Sequence, residues 1–218
     1  MAIKRYFSNA DTTITNAYQE DLVTRGTGSN MGAADILEIF QIYGQVSGAS
    51  GLESELSRVL IKFPVSDIIT DRTAGTVPGA GSVNFYLRLY NAEHTKTTPS
   101  NFTLSVLPVS ADWEEGIGMD MENYSDVTSG YLGSNWIQSA GSTAWSSTGG
   151  DYHASPESTV SFASGLENIE VDVTTLVEQW IAGTKSNYGF GIKLSSTDEE
   201  STTSVYTKKF FSRTSQFF

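Results

Sequence analysis

Residues able to do chemistry are few in this chain. It has two histidines, His94 and His153, both in stretches without periodicity. A lone loop histidine is usually a solvated polar group, and no second histidine supports a zinc site. There is no cysteine, which excludes disulfides, thiolate metal sites and cysteine nucleophiles. No G-x-S-x-G elbow occurs, and no Gly-rich loop carries the Lys and Ser/Thr of a phosphate cradle. Carboxylates and aromatics remain. Glu114-Glu115, Asp120 with Glu122, and Asp198-Glu199-Glu200 are the paired acids. Glycoside hydrolysis needs two carboxylates on opposite sides of one bond. Acidic loop clusters are usually just solvated, so a polysaccharide-degrading enzyme is only a minor alternative. Asp120, Glu122 and Asp126 supply hard oxygens of the kind calcium takes, without the loop pattern of an EF-hand. No other cofactor or metal is expected.

The aromatics are more informative. Tyr131, Trp136, Trp145 and Tyr152 stand apart from any periodic run, inside a Gly/Ser/Thr-rich region from Gly116 to Ser164. Flat, stiff side chains of this kind stack on sugar rings and anchor protein interfaces. They are the candidate ligand or interface residues, although each Trp taken singly is more simply a core residue. A loop this long is unusual inside a compact domain, and such loops tend to be functional. Trp113 and Trp180 are expected as structural anchors, with Tyr188 and Phe190 beside them.

These residues need a scaffold. The stretch Val171 to Leu194 predicts strand, short helix, turn and strand in succession. Val171 and Val173 alternate with polar neighbours, and Leu176, Val177, Trp180 and Ile181 share one helical face. Thr175 and Glu178 have the spacing of a capping box, and Gly183 sits where a left-handed C′ residue belongs. The helix is expected over about residues 174–182. Tyr188, Phe190, Ile192 and Leu194 then fall on one face of a strand. Further strands are expected at Ala34–Tyr43, up to Phe63, at Ser82–Tyr90, Phe102–Val109 and Thr203–Phe211. A short helical or turn-like piece is expected at Val65–Ile69. About seven to ten short strands read as an all-β chain, an antiparallel β-sandwich closed by one helix, in a single domain over residues 1–218.

Net charge is −12. That disfavours nucleic acid and anionic membrane surfaces, which need clustered Lys and Arg. No apolar run reaches membrane-spanning length. Lys4 and Arg5 are not followed by an apolar run, so no export signal is expected.

The order of these pieces resembles the DNRLRE domain family across nearly the whole chain. Asp11-Thr12-Thr13-Ile14 is similar to the family's D-x-T-I, and Asn30-Met31-Gly32 to its N-x-G. Arg58 to Phe63 resembles its R-x-L-L-K-F strand, and Leu87 to Tyr90 its L-x-L-Y strand. Trp113-Glu114-Glu115 resembles its W-x-E. Asp172-Val173-Thr174, Val177, Trp180 and Asn187-Tyr188-Gly189-Phe190 are similar to its closing set, and Ser212-Arg213 to its final S-R-E. Pro64 stands where the family usually has Asp, and Thr214 where it usually has Glu.

The resemblance implies a jelly-roll-like sandwich that is not an enzyme. It implies either a secreted cell-surface protein or a bacteriophage virion protein; with no export signal expected, the virion setting is the expectation, as a capsid decoration or a tail- or fibre-associated module. Its partners would be other virion proteins and copies of itself as a homo-oligomer. The alternative is a carbohydrate-binding module for a cell-surface polysaccharide, which would need Trp136, Trp145 and Tyr152 exposed along a groove. Phe217 and Phe218 would pack within the domain or against another subunit.

Overall fold

The computed structural model describes residues 3–44, 54–94, 98–119 and 133–216. Among them are eleven strands and three helices. In chain order these are β1 (Ala10–Thr15), β2 (Ile36–Ile42), β3 (Glu55–Lys62), α1 (Val65–Thr73), β4 (Tyr86–Leu89), β5 (Phe102–Pro108), β6 (Gln138–Ala140), β7 (Thr143–Ala144), β8 (Ser158–Phe162), β9 (Ile169–Asp172), α2 (Thr174–Ile181), β10 (Phe190–Leu194), α3 (Ser196–Glu199) and β11 (Val205–Phe211). All strand pairings are antiparallel, and the protein is an all-β sandwich-like fold.

β3 is the hinge of the architecture. Its start, Glu55 and Leu56, pairs with β2. Val59 to Ile61 pair with β1 on one edge and with β10 on the other. β10 continues to β5 and β5 to β8. On the other side β2 pairs with β11. The β4–β9 ribbon joins that layer through the bridge between Asn91 and Phe210, with Ala92 N–H donating to Lys209 O at 3.0 Å. The main core fills the space between. Leu37, Ile39, Val59, Ile61, Leu87, Leu104 and Ile192 meet there from five strands. α1 adds Val65 and Ile68, and α2 adds Leu176, Val177 and Trp180.

Several details differ from expectation. There are three helices rather than one, because α1 runs to Thr73 and α3 forms a single turn capped by Ser195. The strand expected from Ser82 forms only from Tyr86, and Phe85 instead docks on α2 by donating its N–H to Thr174 Oγ1 at 2.8 Å. The capping box of α2 does not form. Thr174 is the first helical residue, Val173 is the cap without a side-chain bond, and Asp172 Oδ1 accepts the Thr174 N–H at 2.8 Å. Glu178 is held instead by a bidentate pair with Arg72, at 2.7 and 2.8 Å. Gly183 does take the left-handed conformation, with φ +70°. Among the described residues no helix is long and apolar enough to cross a membrane.

Candidate functional site

Side chains alternate across a strand, so the residue between Val59 and Ile61 points away from the main core. That residue, Leu60, is fully buried all the same. With Ile14, Val109, Trp113, Trp136 and Trp145 it forms a second core on the outer face of the sheet. Trp136 and Trp145, from the region expected as a long functional loop, lie in that core. The described part of that region, residues 116–119 and 133–164, contains the β6–β7 hairpin and β8, and it returns to the sheet edge at the Val109–Tyr152 bridge.

This placement corrects the aromatic site. Trp136 and Trp145 are 7% and 6% exposed, and Tyr152 packs against the same cluster. The two tryptophans present no open stacking face, while Tyr152 is half-buried. Trp145 Nε1 donates to Asn135 O at 2.8 Å, and Trp113 Nε1 to Tyr188 O at 2.7 Å, so the polar edges of these rings are satisfied internally. Burial pushes the Tyr152 hydroxyl up to about 12, and it donates to Gly149 O at 2.8 Å. Tyr188 belongs to this second core and not to the face of Phe190, Ile192 and Leu194. Trp113 is an anchor of the second core. Trp180 anchors the main one, with its ring centroid 4.8 Å from that of Phe190 in an edge-on contact. Tyr131, Asp120, Glu122 and Asp126 lie outside the described residues, as do Phe217 and Phe218.

Polar residues that are scattered along the chain converge at three places. At the first, Asn30 uses its whole carboxamide. Its Nδ2 donates to Glu115 O and Ser134 O, both at 2.8 Å, and its Oδ1 accepts from Gly32 and Gly118 N–H. Next to it, Arg213 forms a bidentate pair with Glu115, and Asp11 donates its own N–H to Glu115 Oε1. Asp11 is 1% exposed, and one of its carboxylate oxygens has no partner. Burial raises its pKa to about 6 against the pull of the Arg213 N–H, with the Glu115 charge adding to the rise. Glu115 is thus a structural ion-pair member; among the described residues no group of three or more acids or histidines is placed to hold a metal.

At the second place, Arg58 forms a bidentate pair with Glu199 at 2.8 Å and donates to Gly149 O. Its guanidinium carbon lies 5.0 Å from the Trp136 ring centroid and 5.8 Å from that of Tyr152. Gly191 leaves room for this packing, because a Cβ there would lie 2.1 Å from the Tyr152 ring. The third place is one that the sequence pattern did not single out. Lys208 lies on the inner face of β11 with Phe210 and is 1% exposed. Its Nζ donates to Asn91 Oδ1 at 2.5 Å and to Gly165 O and Glu167 O at 2.8 Å. The signal was present in the sequence: Lys208 is in phase with Phe210, at a position the pleat sends inward.

A concave feature lies on the surface among the described residues. An open groove of about 440 Å³ is lined by Ser110, Ala111, Ser146, Ser147, Asp151 and Tyr152. Asp151 fixes its rim by accepting the Ser146 and Ser147 N–H groups at 2.8 and 2.9 Å. His153, beside it, is held below its usual pKa by burial and then by Lys185. His94 lies elsewhere, with Nε2 3.1 Å from Thr207 O.

No family model, curated protein or solved structure matches this chain.

Proposed function

We propose that the chain is a non-enzymatic structural module of a bacteriophage virion, joining other virion proteins and copies of itself. The observation that carries the association half of this reading is the N-terminal arm. Residues 3–8 form neither helix nor strand. Tyr6 donates to Asp71 Oδ2 at 2.6 Å and Lys4 pairs with the same carboxylate, so the arm is pinned along one side of α1. Its other side carries Ile3 and Phe7, 82% and 80% exposed. Two large apolar side chains held outward on a pinned segment favour a protein partner over solvent. Arg5 adds a positive charge to the arm on a chain of net charge −12, and the acidic body of a second copy complements it. The virion setting rests on the DNRLRE resemblance. Peptide mass spectrometry of gradient-purified virions that encode the chain tests it. Many copies per particle are expected; absence from the particles contradicts the reading.

A carbohydrate-binding reading keeps one observation in its favour, the hydroxyl-lined groove at Ser110, Ser146 and Ser147. It no longer draws on the tryptophans. Glycan-array binding that is lost on Ser147→Trp would select it.

A further inference from the structure

We propose that Lys208 and Asn91 are joined by an intramolecular isopeptide bond that ties β11 to the end of β4. The two residues lie on neighbouring strand segments, because Asn91 bridges to Phe210, two residues beyond Lys208. The Lys208 ammonium is enclosed by the rings of Phe162 and Phe210, with centroids 5.1 and 4.9 Å away. Its contact with Asn91 Oδ1, at 2.5 Å, is shorter than an ordinary N–H···O hydrogen bond. Cγ of Asn91, one bond beyond, is then close to the near-attack range of about 3–3.5 Å.

The surroundings supply what the reaction needs. Burial pulls the Lys208 pKa down to about 8, which favours the neutral, nucleophilic amine. Glu167 is the carboxylate whose charge acts on Lys208. Its Oε1 accepts the Ala163 and Ser164 N–H groups, while its Oε2 is buried and has no partner. The N–H of Ser164, foremost, holds Glu167 down at about 2, so its carboxyl is ionised.

The step balances without any other reactant. Nζ of Lys208 attacks Cγ of Asn91 and forms the new N–C bond. Glu167 carries two protons in turn from Nζ to Nδ2. The Cγ–Nδ2 bond breaks, and the nitrogen leaves as ammonium. Nothing is oxidised or reduced. The product is a covalent tie between two strands in a chain that has no cysteine to make one.

Mass spectrometry of the full chain, read in denaturant, tests this. The wild-type protein is expected to weigh less than its sequence by one ammonia. Its digest should contain one branched peptide linking Asn91 to Lys208. Lys208→Arg and Asn91→Ala should each restore the sequence mass, whether or not they fold. Wild-type protein at full sequence mass overturns the proposal. So does a loss of ammonia without the branched peptide, which would be cyclisation at an asparagine. Glu167→Gln is expected to leave the two residues unlinked; complete linkage in that variant would remove Glu167 from the step.

Discussion

The Asp11 carboxyl shows how this molecule uses its charged residues. It is buried where β1 meets the chain after β11, accepts the Arg213 N–H at 2.8 Å, and faces a second carboxylate, Glu115. Its pKa rises from 3.8 unfolded to about 6 folded, so the fold binds the proton more tightly. Stability from this group is therefore full below about pH 4 and is lost as the pH rises through about 6. A shift of this size corresponds to about 3 kcal/mol. Asp11→Asn keeps an acceptor for Arg213 and removes the charge. It should raise the melting temperature at pH 7.5 and flatten its dependence between pH 4 and 6. An unchanged pH profile would place the cost elsewhere. The DNRLRE-like positions were legible as sequence pieces, but their joint role was not. Asp11, Asn30, Glu115 and Arg213 are spread over nearly the whole chain, and only folding brings them into one network.

At the scale of elements, periodicity carried most of the information. β3, β5, β10 and α2 were visible because each presents an alternating or helical apolar face to one core, whereas β2, whose spacing fits helix and strand alike, was legible only from the Gly-rich stretches that flank it. The capping box failed because the helix starts at Thr174, which puts Thr175 inside it, and Glu178 pairs instead with Arg72 from α1. No local pattern contains that contact. α2 should behave as a packing element. Trp180→Ala removes a ring that is 5% exposed and lies edge-on to Phe190, and should cost about 3–5 kcal/mol in thermal or urea unfolding. The Trp180 Nε1 is buried without a partner, so Trp180→Phe should cost clearly less than the alanine change. Equal losses for the two variants would mean that the indole nitrogen matters in a way the packing does not show.

At the scale of the whole molecule, the sandwich has two cores, and the second was the part least legible in the sequence. A Gly/Ser-rich region with isolated tryptophans reads as a displayed loop. Trp136 and Trp145 are buried because Leu60 and its neighbours give the outer face of the sheet apolar surface of its own. Residues suited to ligand binding are thereby used internally, and the large apolar groups left outside include the pinned pair Ile3 and Phe7. We propose that this arm makes the chain an assembly module. Light scattering on the full chain beside an Ile3→Ser/Phe7→Ser variant tests it most directly. The account predicts a wild-type oligomer that the double variant converts to monomer with an unchanged melt. A wild-type chain that is monomeric at every concentration, or an oligomer unaffected by both substitutions, would contradict it.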